Sequence, residues 1–199
     1  MTVQNRRQAI AMMAGLIALP GAALAQPRRY QLVEGSSKVG FIFDLQGTRQ
    51  KGFMPVQKVD IRIDAQALSR AVVAVDLDVS KARTGLFLAT QALTGADILD
   101  AAQYPVIRFR STGIKLAPSG RLSDGAQVIG DLTIRDTTRQ VILQADIYRP
   151  AGSAPDDLDQ LSVQLGGTIS RAAFGAVGFP DLVADQVQID IDAVIHVTD

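Results

Sequence analysis

Apolar and polar residues alternate along most of the chain after residue 38. The period of two is typical of β-strands. Val59, Ile61 and Ile63, for example, alternate with Asp60 and Arg62. Eight such rows occur, which are Val39–Phe43, Val59–Ile63, Val73–Val79, Ile107–Phe109, Leu132–Ile134, Val141–Ile147, Leu161–Ile169 and Val187–Ile195. Strands that are apolar on one face and polar on the other favour an antiparallel sheet.

One region departs from this pattern, because Leu86, Ala89 and Leu93 recur at helical spacing. We therefore expect a short helical insert near residues 86–100, made of one or two helices. Asp97 follows a glycine-containing break, and we expect it to be the N-cap of the second helix.

About eight strands can close into a barrel, which leaves no exposed sheet edge. The predicted fold is all-β, an eight-stranded extended antiparallel β-barrel. No repeat or linker divides residues 26–199, so we expect one domain. An eight-stranded barrel either fills its interior with side chains or holds one ligand. Since the inward rows are aliphatic or aromatic, a cavity there is expected to suit an alkyl or prenyl chain.

The first 25 residues have the organisation of a secretory signal peptide. Arg6 and Arg7 precede an uncharged apolar stretch, and Ala23-Leu24-Ala25 has the small-x-small pattern of a cleavage site. We expect cleavage after Ala25 and delivery to a bacterial periplasm. The Sec and twin-arginine routes both fit. The apolar stretch is too short for a membrane span, so we do not expect an integral membrane protein.

Composition excludes several classes of chemistry. The chain has no cysteine and one histidine, which excludes thiol chemistry, zinc sites of several histidines and most triads. The formal net charge is zero, which argues against a nucleic-acid-binding surface. No phosphate-binding loop, zinc-protease or serine-hydrolase motif is present. We expect neither a catalytic residue, a metal site nor a cofactor other than a bound lipid.

Several short motifs resemble those of the YceI family. They are Val39-Gly40-Phe41, Asp97-Ile98-Leu99-Asp100, Tyr104-Pro105-Val106-Ile107-Arg108-Phe109, Gly130-Asp131-Leu132-Thr133-Ile134-Arg135, Ile169-Ser170-Arg171 with Phe174-Gly175, and Leu182-Val183 with Asp185. They stand in the order of that family and span Tyr30 to Val197. The resemblance implies a periplasmic, lipocalin-like barrel whose apolar tunnel binds polyisoprenoids or related long-chain lipids, without established enzymatic activity.

The chain departs from the family pattern near the expected tunnel mouth. Ser36 and Ala92 stand where the family has histidines, and Ile98-Leu99 replace an aromatic pair. Asp136 replaces a glycine. We expect a reshaped and less aromatic mouth.

Ten residues are candidates for the tunnel lining: Phe41, Phe43, Phe53, Phe87, Leu93, Ile98, Tyr104, Phe109, Leu132 and Phe174. The alternative is that they form an ordinary core. Arg171 is a candidate for contact with a lipid head group, and a structural ion pair with an aspartate is the alternative.

Other polar residues have simpler interpretations. His196 lies in register with the polar face of the last strand, so we expect a solvated surface side chain. Asp156, Asp157 and Asp159 lack the spacing of a calcium loop and are expected to form a solvated acidic loop.

Three function hypotheses follow. The first is a periplasmic carrier of a long apolar ligand. The second is a filled barrel that contacts an envelope partner, with a membrane redox protein as one candidate. The third, an enzyme acting on a lipid, ranks last because no acid-base pair has a recognisable spacing. A homodimer is left open.

Overall fold

The structure, a computed structural model, describes residues 27–64, 66–120, 124–154 and 157–198. The predicted signal peptide, residues 1–25, lies outside this range. The strands are β1 (Arg28–Leu32), β2 (Lys38–Leu45), β3 (Thr48–Met54), β4 (Val56–Ile63), β5 (Val72–Asp78), β6 (Arg83–Thr84), β7 (Val106–Leu116), β8 (Ala126–Ile134), β9 (Thr137–Tyr148), β10 (Gln160–Ser170) and β11 (Gln186–Thr198). The helix α1 comprises Phe87–Thr94.

The strands form a closed antiparallel barrel, which confirms the predicted fold class. The hydrogen-bonded order β1-β4-β5-β7-β8-β9-β10-β11 is closed by pairing of β11 with β1. The last part of β11 pairs with β1, and its first part pairs with β2. β3 follows β2 in the sheet and pairs with β6. The barrel wall therefore has eight strand positions. β1 and β2 share one position, β3 and β4 share the next, β5 and β6 share a third, and β7 to β11 occupy one position each.

The eight alternating rows lie on strands, except that Val79 follows the end of β5 in a 3₁₀ turn. The strands β1, β3 and β6 were not predicted. β3 has the sequence TRQKGFM, and its inward position opposite Phe41 is occupied by Gly52 rather than by an apolar side chain. β1 and β6 have five and two residues, too few to show a period. Pairing with neighbouring strands, rather than local pattern, forms these three strands.

Buried side chains form three clusters, one on the wall of β8 and β9 around Val128 and Leu143 and the other two at the ends of the barrel. The first end cluster includes Leu99, Leu132 and Phe174 and lies where β5, β8 and β10 end. The second end cluster includes Tyr30 and Leu161 and lies at the opposite end. We call the end with the first end cluster the α1 end. The opposite end is the terminal end, because it carries the first residue of β1 and the last residue of β11.

The segment between β6 and β7 contains one helix, followed by turns. Residues 96–99 and 101–103 form turns, so this segment has one of the one or two helices expected. Asp97 is therefore not an N-cap. Its main-chain oxygen instead accepts a hydrogen bond from the Gly178 amide at 2.9 Å. This contact joins the insert to the β10–β11 connection.

Candidate functional site

The barrel encloses a cavity of about 950 Å³. Every wall position contributes inward apolar side chains, such as Val39, Val75, Val163 and Ile191. A barrel with this space is not filled by its own side chains, which contradicts the alternative of a filled interior. Because its lining is almost wholly carbon, the cavity favours an apolar occupant.

The structure brings eight of the ten predicted lining residues to this cavity. They are Phe41, Phe43, Phe87, Leu93, Ile98, Phe109, Leu132 and Phe174. Leu132 and Phe174 are also members of the buried cluster at the α1 end. The two interpretations offered by the sequence, core and lining, therefore both apply to these two residues.

Phe53 and Tyr104 face elsewhere, which corrects the prediction for both. Phe53 is 54% exposed, because it alternates with the inward Gly52 and so projects from the outer face. The Tyr104 ring lies under the guanidinium of Arg135, with Cζ 5.5 Å from the ring centroid. This cation–π contact holds Tyr104 against the insert and away from the cavity.

Two wall glycines make room for the phenylalanine rings. A Cβ at Gly130 would lie 2.5 Å from Cζ of Phe109, and a Cβ at Gly52 would overlap the ring of Phe41. Both rings therefore lie across the backbone of a neighbouring strand instead of projecting into the centre. Small residues at these positions keep the centre of the barrel open.

The terminal end of the cavity is closed by packed side chains. The Tyr30 hydroxyl donates to the Leu158 carbonyl at 2.7 Å, and both residues are buried. Burial raises the pKa of the Tyr30 phenol above its usual value, while the nearby Arg28 acts in the opposite direction. Leu68 and Ala71 line the same end from the β4–β5 connection.

The α1 end is open and bordered by exposed apolar side chains. Leu86, which precedes α1, and Leu88, which lies within it, line the cavity and are exposed to solvent. Phe179 and Leu182 in the β10–β11 connection do the same. The sequence analysis did not place these four residues among the candidates for the cavity lining. The distribution of charge along the sequence could have identified them, because residues 84–96 and 172–180 contain no charged residue.

Arg171 is bonded chiefly to the backbone around it. It is only 9% exposed, and its guanidinium donates to four main-chain carbonyls, namely those of Ala184 at 3.1 Å, Ala176 at 2.5 Å, Gly178 at 2.8 Å and Val183 at 2.8 Å. Four of its five N–H donors are thus bonded to the β10–β11 connection. Arg171 therefore shapes the cavity mouth, and one N–H of its Nη2 is left for a head group.

Asp185 fastens the other end of that connection. Its carboxylate accepts hydrogen bonds from the Ala172 amide and the Ser170 hydroxyl, both at 2.9 Å. The Ala172 amide, followed by the Ser170 hydroxyl, lowers the pKa of Asp185. Residues 171–185 are therefore held as a defined rim.

The remaining polar candidates lie away from the cavity. His196 is half-buried between Gln31 and Gln160 on neighbouring strands, and its Nδ1 has no hydrogen-bond partner among the described residues. It is thus less solvated than expected. Asp156 lies outside the described residues. The Asp157 carboxylate accepts from the Asp159 amide at 2.8 Å, and Asp159 pairs with Arg28 at 2.6 Å.

Charged groups at the cavity do not form a catalytic arrangement. Among the described lining residues, Lys38 and Asp192 are exposed cross-strand partners on the outer edge, and Arg171 is bonded to carbonyls. The described residues also contain no helix with the length and hydropathy of a membrane span.

Comparison with solved structures shows the same fold in three bacterial proteins. The crystal structure of Burkholderia cenocepacia BcnA is 21% identical with a TM-score of 0.69, covering 82% of this chain and 99% of that one. A polyisoprenoid binding domain from Saccharophagus degradans, implicated in plant cell wall breakdown, is 12% identical with a TM-score of 0.62, covering 86% and 99%. The Campylobacter jejuni YCEI protein is 18% identical with a TM-score of 0.59, covering 74% and 84%.

Sequence comparison identifies the family. No curated protein matches the sequence. The model of the YceI-like domain matches residues 30–195, which is most of the barrel. The resemblance inferred from the short motifs is confirmed, and the chain belongs to the YceI-like domain family.

Proposed function

We propose that this protein is a non-catalytic periplasmic carrier that holds one long-chain apolar ligand inside its barrel. The ligand class is a polyisoprenoid, an isoprenoid quinone or a related lipid. The observation that carries the proposal is the apolar cavity of about 950 Å³, open at the α1 end and closed at the terminal end. The polyisoprenoid binding domain from Saccharophagus degradans, which shares the fold, supports the ligand class.

The size of the cavity limits the ligand. If each non-hydrogen atom occupies ~30 Å³, like a water molecule in the liquid, then 950 Å³ holds about 30 atoms. That corresponds to roughly six isoprene units. Burial is worth about 0.8 kcal/mol for each methylene group, and the cost of association offsets part of it.

The position of polar groups orients the ligand. At the closed terminal end, the ligand meets only apolar side chains and a tyrosine hydroxyl that already donates a hydrogen bond within the protein. The guanidinium of Arg171 lies at the open end, with four of its five N–H donors bonded. The apolar tail therefore enters first, and the head group stays at the mouth in contact with water. Export and cleavage after Ala25 are part of the same proposal.

The direct test is chemical identification of the occupant. The full chain is expressed in a bacterial host and purified from the periplasm without detergent. Its intact mass is measured, and an organic-solvent extract is analysed by mass spectrometry. We expect loss of residues 1–25 and one isoprenoid or long-chain lipid per protein.

An extract without lipid, combined with no uptake of added polyprenol, ubiquinone or fatty amide, would overturn the carrier proposal. The search would then turn to envelope protein partners. Turnover of an added isoprenoid by the pure protein would overturn the non-catalytic part and favour an enzyme.

A further inference from the structure

The exposed apolar side chains of the protein are concentrated at the open end of the barrel. Phe87 is 82% exposed, Leu88 75% and Val177 59%. Leu86, Phe179 and Leu182 are exposed as well. We call these six residues the apolar tip. Large side chains of this kind are rarely left together in water without an interaction partner.

Two separate segments of the chain build the tip, and the fold holds them together. Residues 84–96 contribute α1 and the residues before it, while residues 172–183 contribute the β10–β11 connection. The Gly178 amide bonds to the Asp97 carbonyl at 2.9 Å, and the Gln46 amide bonds to the Leu182 carbonyl at 2.9 Å. The connection is therefore wedged between the helical insert and the β2–β3 turn.

The backbone at Phe179 shows that the fold imposes this exposure. Phe179 has a φ of 55°, in the left-handed region that large side chains seldom adopt. The Leu182 and Val183 amides both donate to its carbonyl, at 3.1 and 2.9 Å, and hold the turn. A bulky apolar side chain is thus kept at the mouth in an unfavourable conformation.

We propose that the apolar tip docks on a lipid bilayer, so that Leu86, Phe87, Leu88, Val177, Phe179 and Leu182 enter its interfacial region around the cavity mouth. Docking needs no loaded cavity, whereas its use for direct lipid exchange rests on the proposed function. A carrier that meets the membrane at its mouth moves its ligand between bilayer and cavity without passage through water.

Continuity with the cavity is the first argument for a bilayer. Five of the six tip residues also line the cavity, Val177 being the exception. The exposed apolar surface and the apolar interior are therefore one surface. An occupant that covers the tip without blocking the mouth has to be fluid and apolar, as lipid is.

The charge distribution is the second argument. The tip segments carry no charged residue within 84–96 and 172–180. Beside them, Arg49, Lys51 and Arg83 are exposed on β3 and β6. Basic side chains around an apolar patch are suited to the anionic head groups of a bilayer. Asp181 lies between Phe179 and Leu182 in the β10–β11 connection, so contact is expected to be tilted away from it, towards α1 and the basic side chains of β3 and β6.

Size is the third argument, and it separates a bilayer from a second copy of the chain. The tip consists of six large apolar side chains, whereas a stable protein interface uses about 20–30 residues on each side. A bilayer needs no matching surface and accepts a small patch.

The first experiment measures flotation of lipid-free protein with vesicles of phosphatidylethanolamine and phosphatidylglycerol. We expect wild-type protein to float and the Phe87→Ser/Leu88→Ser variant to bind at least about tenfold more weakly. Matched controls are Ile142→Ser and Tyr148→Ser, since Ile142 and Tyr148 on β9 are 51% and 52% exposed on the wall and at the terminal end. Both controls are expected to float like wild type.

A second experiment reports the depth of insertion. The chain contains no tryptophan, so Leu88→Trp introduces a single tryptophan. The tryptophan emission, excited selectively over the three tyrosines, is expected to shift to shorter wavelength when vesicles are added, while that of Tyr148→Trp stays unchanged. Lys51→Glu with Arg83→Glu is expected to weaken flotation on phosphatidylglycerol vesicles and to remove its dependence on salt.

Two outcomes would overturn the docking proposal. One is that wild-type protein does not float and Leu88→Trp shows no spectral shift. The other is a dimer in light scattering that Phe87→Ser/Leu88→Ser converts to monomer, with no flotation, which identifies the tip as a contact between copies. Because these measurements use lipid-free protein, their failure is distinct from an empty solvent extract, which concerns the carrier proposal alone.

Discussion

Filling the cavity from its wall tests the carrier proposal most directly, and Val75→Trp is the substitution we develop. Val75 lies on β5 between Val59 and Phe109 and lines the cavity. Val72 is on the same strand but is 42% exposed on the outer face, so Val72→Trp is a matched control. Both variants make the same change of side chain on the same strand.

The expected magnitude follows from volumes. Tryptophan has about seven more non-hydrogen atoms than valine, so its ring takes the place of at most about seven non-hydrogen atoms of ligand in the 950 Å³ cavity. Displacing about seven methylene-sized groups of ligand at ~0.8 kcal/mol each gives an upper limit of about 6 kcal/mol. If half of this is realised, affinity falls about 100-fold.

Stability is expected to respond differently from affinity. In an open cavity, the new ring occupies empty space, so unfolding of lipid-free Val75→Trp stays within about 1 kcal/mol of wild type. In a filled core, the same ring would cost about 1–3 kcal/mol. Denaturant unfolding and uptake of a fluorescent long-chain probe measure the two quantities on one preparation.

The reasoning is refuted if Val75→Trp unfolds several kcal/mol more easily while probe uptake equals that of wild type. It is also refuted if Val72→Trp reduces uptake as much as Val75→Trp does. The first result would mean that the interior is effectively full. The second would place the binding site outside the barrel.

Three further predictions concern the two ends of the barrel. Arg171→Met removes four hydrogen bonds to carbonyls, so we expect a loss of about 2–5 kcal/mol in unfolding free energy and faster amide exchange in residues 176–184. Unchanged exchange would contradict the idea that Arg171 holds the β10–β11 connection in place. Because the pKa of Asp185 is lowered in the fold, its contribution to stability is present above the usual aspartate pKa of about 3.9 and is lost as pH falls through the lower folded value. In a plot of melting temperature against pH, Asp185→Asn should therefore reduce the decrease at acid pH. Because the pKa of Tyr30 is raised, its contribution to stability is complete below the usual tyrosine pKa of about 10 and is lost as pH rises through the folded value. Absorbance titration should show a tyrosine ionisation above the usual pKa, and Tyr30→Phe should remove it.

Much of the barrel is determined by the sequence alone. The eight apolar rows have a period of two, and burial of one face of an antiparallel sheet is the arrangement that this period permits. The short motifs from Val39 to Asp185 also indicate the family, and the match over residues 30–195 confirms it. Eight of the ten predicted lining residues lie at the cavity, largely because an inward residue of a barrel strand faces the interior.

The tertiary structure decided the features that depend on contacts between distant segments. Phe53 points outward because the inward place on β3 belongs to Gly52, whose space is taken by the Phe41 ring. Four N–H donors of Arg171 are occupied because the chain after it turns back and presents four carbonyls. Local sequence does not encode either contact.

Whether the interior is open or filled was also decided by the tertiary structure. The sequence shows that the inward rows are apolar, and that pattern is the same for a packed core and for a lipid cavity. The outcome depends on how far apart the facing walls stand and on where rings such as those of Phe41 and Phe109 lie. Barrel closure sets the first of these, and the glycines on neighbouring strands set the second.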